Sequence, residues 1–92
     1  MDIGKRFEEI LQHVKHPSEL RLNNMLDPFV LGYQEDDQSS EILFCTQEWE
    51  KNQRDEIHGG AIASMFDTAM GVTAAAYQGT GSVSTADLQV SF

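Results

Sequence analysis

Between His58 and Asp87 one residue carries a charge, Asp67. Around it, residues 60 to about 77 are Ala, Ile, Met, Phe, Val and Thr with a single further glycine, which predicts a helix that is apolar nearly all round and so enclosed on most sides. His58-Gly59-Gly60 opens this helix, and Gly-Thr-Gly at 79–81 supplies its stop. An acid in such surroundings is costly unless it has a task or a partner. The fold must therefore supply cover for the helix and an occupation for Asp67.

Little chain is left to do so. The 92 residues form one small domain, which should bury only about 60–65% of the surface its unfolded form exposes. Phe7, Ile10, Leu11 and Val14 recur at helical spacing and predict a short amphipathic helix ended by Pro17. A second helical stretch is expected around 18 to 25, capped by Ser18 and broken by Asp27-Pro28. Residues 29–34, FVLGYQ, read as a strand, EDDQSS as a polar turn, and 41–49, EILFCTQEW, as a second strand pairing back on the first. Residues 50–57 are charged and aperiodic, hence a surface loop. After the helix, SVSTADLQVSF alternates, with Ala86, Leu88, Val90 and Phe92 on one face, as a strand does. Three strands around one helix leave apolar surface and a sheet edge open, so the chain is expected either to be a fragment or to be completed by another chain.

Composition excludes several functions. Six basic against fifteen acidic residues give a formal charge of −9, which argues against nucleic acid or an anionic membrane as partner. No apolar run approaches the ~20 residues that cross a bilayer, and MDIGKRFEEI is too charged for a signal peptide. The lone cysteine, Cys45, cannot form an internal disulfide and fits a cytoplasmic location. Within a strand it is expected to be core packing. His13 and His16 stand three apart near a helix end without convincing further ligands, so no metal is expected. GTGS at 79–82 lacks the lysine of a phosphate loop and follows a helix instead of opening one.

The His58-Gly59-Gly60 turn has the chemistry of an oxyanion site, because the first amides of a helix have no partner within it and the helix dipole adds partial positive charge. Asp67 lies eight residues beyond Gly59, roughly 12 Å along the axis at 1.5 Å per residue. A base must come within about 3 Å of the atom it serves, or one water further. If both groups act on one substrate, they must come from different copies of the helix, as two antiparallel helices in a twofold dimer would allow.

The HGG turn opening a small-residue helix, the acid nine positions after the histidine and the following STADLQVSF together resemble the hot-dog fold thioesterases, in particular the phenylacetate-degradation and small acyl-CoA branch. The resemblance runs from Asp27 to Phe92 and is strongest from Asn52 onward. It implies an α+β architecture in which an antiparallel sheet wraps a long central helix. Residues 1–26 would be an N-terminal helical segment, and 27–92 the N-terminal part of the thioesterase domain. It implies hydrolysis of small or aromatic acyl-CoA thioesters at a subunit boundary in a homodimer or a dimer of dimers, with no metal or redox cofactor.

Carried over residue by residue, Gly59 N–H would polarise the thioester carbonyl, His58 would shape the turn and Gly60 would let the helix begin. Asp67 would act as general base on water or as nucleophile. Asn52 would orient water or thioester, and Thr85 would hold the attacking water near Asp67. Two features depart from the pattern. Asp55 stands where a glycine is common, followed by Glu56, and the family's sheet continues past the equivalent of Phe92, which implies truncation. A non-catalytic assembly or binding module, and an acyl-thioester hydratase or dehydratase, are the alternative readings.

Overall fold

Asp2 starts the first helix by accepting the Lys5 amide at 3.2 Å, and α1 runs Ile3–Val14. The computed structural model describes residues 2–15, 21–79 and 83–91; Pro17 and Ser18, expected to stop one helix and cap the next, lie outside them. A short α2, Leu22–Leu26, ends on Asp27 in the left-handed region (φ 53°) before Pro28. Two antiparallel strands follow, β1 Phe29–Gln34 and β2 Ser39–Leu43. A 3-10 turn at Glu48–Glu50 leads to α3, Gly59–Gln78. The architecture is α+β. Among the described residues no helix is long and apolar enough to cross a membrane.

The hairpin matches expectation at β1 and departs from it at β2. Its register jumps between Val30 and Gly32, leaving Leu31 as a bulged, exposed residue. Strand character ends at Leu43 instead of reaching 49. The reason is local: Glu50 Oε1 accepts the Gln47 amide at 2.9 Å, and the Gln47 side chain accepts the Trp49 indole N–H at 3.1 Å. The reciprocal side-chain to backbone bonds of Gln47 and Glu50 satisfy backbone amides in a turn where a strand would need a neighbouring ladder. Cys45 thus lies beyond the strand, exposed, and not in the core as expected.

The alternating tail is also not a strand: residues 83–91 form no ladder and carry a bend at Ala86. A strand's amides and carbonyls need a paired edge, and among the described residues β1 and β2 pair only with each other. Phe92 is outside the described set.

One core forms where α1 crosses the C-terminal half of α3. Ile3, Phe7 and Ile10 bury against Val72, Ala75 and Ala76, with Leu11, Val14, Val30, Ile42 and Tyr77 packed around them. Phe7 stacks on Tyr33 at 5.5 Å between ring centroids and meets Tyr77 edge-on at 5.7 Å, the two geometries that aromatic quadrupoles favour. Arg6 Nε donates to the Ala76 carbonyl at 2.8 Å, tying the helices together near the end of α3. At the other end of α1, Lys15 bonds the Pro28 carbonyl at 2.9 Å and Asp27 at 2.8 Å. The enclosure expected for the whole central helix holds only for this half. Phe66 and Met70, earlier on α3, are 53% and 52% exposed, because α1 and two strands cover one side of a 20-residue rod and not the rest.

Candidate active site

The loop before α3 is a closed, hydrogen-bonded structure. Lys51 and Ile57 bridge its mouth, the Asn52 amide donates to Glu56 O at 2.7 Å, and the His58 amide donates to the carbonyl of buried Glu50 at 2.7 Å. Inside it, Asn52 Oδ1 accepts the amides of Arg54 at 2.9 Å and Glu56 at 3.2 Å. That oxygen is committed to the loop. The Nδ2 group makes no hydrogen bond among the described residues.

The turn to α3 sorts the first amides of the helix in the same way. His58 is the N-cap; its Nδ1 accepts the Gly60 amide at 2.9 Å, while its carbonyl accepts Ala61 and Ile62 at 2.9 and 3.1 Å. A Cβ on Gly60 would sit 3.1 Å from that Nδ1, so a side chain there would press on the capping imidazole. Among the described residues the Gly59 amide alone of this first turn has no acceptor. It is the donor the helix N-terminus leaves for a carbonyl or oxyanion.

Asp67 occupies the middle of α3, half-buried. It is not isolated: the Thr85 hydroxyl donates to Asp67 Oδ1 across eighteen residues of chain. Its second oxygen carries no bond among the described residues, and Asp67 lines a cleft of about 180 Å³ together with Thr85, Gly71, Val83 and, from α1, Ile10 and His13. Asn23 of α2 closes the rim by accepting the Thr68 hydroxyl at 2.7 Å.

Six named positions thus fall into two groups. Asn52, His58, Gly59 and Gly60 share one loop and turn, whereas Asp67 and Thr85 share the cleft. Neither His58 nor Gly59 lines that cleft. Sequence reading missed the α1 contribution altogether. The available signal was on α3 itself, where Gly71 and Ala75 follow Asp67 at four-residue steps and so lie on its face.

Both cations near the turn are paired with acids. Lys51 Nζ lies 3.1 Å from Glu48 and 3.2 Å from Asp55, and Arg54 Nε lies 3.5 Å from Glu56. The hydrogen bond to Glu48, then that to Asp55, and the Glu48 charge hold the Lys51 ammonium above its ordinary pKa, against a smaller desolvation effect. The two acids that depart from the family pattern are therefore both paired.

No curated protein and no solved structure matches this chain. Residues 56–92, the span that carries His58, Gly59, Asp67 and Thr85, match the family model of the thioesterase superfamily, which implies the hot-dog fold and, at the level of class, a thioesterase-type function.

Proposed function

We propose that the protein hydrolyses acyl-CoA thioesters bearing a small or aromatic acyl group, releasing the free acid and CoA, at a site shared by two subunits. The observation that carries this reading is the unpartnered Gly59 amide at the start of the helix that also holds the Thr85-bonded Asp67 carboxylate. The free oxygen of Asp67 takes a proton from water as the water oxygen attacks the thioester carbonyl carbon. The negative charge that develops on the carbonyl oxygen is met by Gly59 N–H, with Asn52 Nδ2 as second donor. Collapse breaks the C–S bond, and the thiolate takes up the proton held by Asp67. Direct attack by Asp67, giving a mixed anhydride that water then opens, uses the same atoms.

Because roughly 12 Å of helix separates Gly59 from Asp67, each site takes its amide from one copy and its carboxylate from the other. The exposed apolar side chains Phe66 and Met70 on α3 and Phe29 and Leu31 on β1 support association of copies. The cytoplasm is the proposed location, and the net charge of −9 disfavours nucleic acid and membrane as partners.

The test is steady-state hydrolysis of a panel of acyl-CoAs by the protein and its Asp67→Asn variant. Loss of the base should lower kcat by about 10²–10⁴-fold. A variant with undiminished turnover refutes the assignment.

A further inference from the structure

We propose that the cleft between α1 and α3 is the acyl-binding pocket and that Gly71 sets its depth. The inference rests on the thioesterase reading for the identity of the ligand, though not for the existence of the pocket. Asp67 and the Thr85 bonded to it line the cleft with His13, Asn23 and Thr68 as further polar groups, and Ile10, Val14, Val72, Ala75 and Val83 form its apolar wall. An apolar wall with a few polar groups beside the reacting bond is the arrangement an acyl thioester can use. The cleft holds about 180 Å³, and an apolar cavity of roughly 150 Å³ takes up benzene, so one aromatic ring or an acyl chain of about six carbons fills it.

Gly71 is the residue that keeps this space open. It lies one turn after Asp67, and Ala75 one turn further, so a glycine and an alanine continue the line that begins at the carboxylate. Neighbouring packing does not demand glycine here: a Cβ at Gly71 would meet only Val83 Cγ2, at 3.8 Å, an ordinary contact. Glycine in a helix interior is the poorest choice after proline. What its missing side chain does supply is volume in the cleft. The second wall comes from Ile10 and Val14, so the N-terminal helix, which lies outside the span matching the thioesterase family, becomes a determinant of substrate choice.

The experiment compares the protein with Gly71→Ala and Gly71→Leu in two readouts. The first is kcat/KM on acetyl-, butanoyl-, hexanoyl-, phenylacetyl- and decanoyl-CoA. The second is saturable binding of phenylacetate and hexanoate followed by NMR, which needs no turnover. Gly71→Leu should lower kcat/KM for hexanoyl- and phenylacetyl-CoA by at least about tenfold relative to acetyl-CoA and abolish phenylacetate binding. Gly71→Ala, which adds one methyl and improves helix propensity, should fold and fall between the two. Hydrolysis with an unchanged chain-length profile in either folded variant overturns the pocket and leaves the thioesterase reading standing. Phenylacetate binding that disappears in Gly71→Leu, in a protein that hydrolyses no thioester, upholds the pocket and refutes the thioesterase reading. A protein that neither hydrolyses nor binds refutes both.

Discussion

Gly59→Pro removes one hydrogen-bond donor and almost nothing else. Gly59 is the first helical residue of α3, the position at which proline is best tolerated because its amide has no partner inside the helix. Proline also restricts the residue before it to extended conformations, and His58 already sits there, at φ −61° and ψ 136°. The Gly60 amide still reaches His58 Nδ1 and the Ala61 and Ile62 amides still reach the His58 carbonyl, so thermal stability should stay within about 0.5 kcal/mol. The donor proposed for the oxyanion is gone, and loss of such a donor typically costs about 10²–10³ in kcat.

Mixing then asks whether amide and carboxylate come from different subunits. In a heterodimer of Gly59→Pro with Asp67→Asn, one site carries both lesions and the other carries neither. Random exchange makes half the dimers mixed, so an equimolar sample should recover about a quarter of wild-type activity from two nearly inactive parents. Recovery is followed by acyl-CoA hydrolysis after subunit exchange at low denaturant, with mass spectrometry to show that heterodimers formed. Confirmed heterodimers with no activity above that of the parents would refute the shared site.

Two further outcomes test the packing that positions the cleft. Gly79→Ala should destabilise by about 1–2 kcal/mol, a fall in Tm of roughly 5–10 °C, because Gly79 is at φ +75° and a Cβ there lies 3.2 to 3.4 Å from the Arg6 guanidinium that holds α1 to α3; a Tm unchanged within a degree contradicts this account of the junction. Tyr77 donates its hydroxyl to the Ser39 carbonyl at 2.9 Å and the Gln34 carbonyl at 3.1 Å, and burial first, then Glu35, Asp37 and Tyr33, raise its pKa above the ordinary value of 10.0. A raised tyrosine pKa contributes stability that is intact below the unfolded value and is lost as pH climbs from there through the folded one. Denaturation midpoints should therefore drop above about pH 10, and Tyr77→Phe should flatten that slope in part, the raised Lys51 contributing a loss of the same sign.

What could be read from the sequence was what short-range chemistry decides. The bounds of α3 follow from its composition and from glycines at both ends, and β1 follows from FVLGYQ between a proline and a polar turn. β2 was overextended because the Gln47–Glu50 turn is held by side-chain hydrogen bonds that a count of β-formers does not see. Residues 83–91 have the alternation of a strand, but alternation reports which faces would differ in burial and not whether an edge is there to pair with. The HGG turn and Asp67 were visible because each is local. The Asp67–Thr85 bond spans eighteen residues and the contact of Arg6 with Ala76 spans seventy, so the acid's partner and the α1 wall of its cleft needed coordinates.

Asp55 joins the two kinds of information. It stands where the resembled thioesterases commonly have glycine, and it adopts φ +64°, the left-handed conformation that glycine supplies without strain. Aspartate is among the few other residues that tolerate it. That conformation lets the Asn52 carbonyl accept the Asp55 amide at 3.1 Å while Asn52 Oδ1 takes two more amides from the same turn. With its oxygen fixed three residues from an αL kink, the Asn52 side chain has one free group left, the Nδ2 donor. The carboxylate that comes with the substitution is drawn to Lys51 at 3.2 Å, which limits the field an anionic substrate would meet at the Gly59 amide.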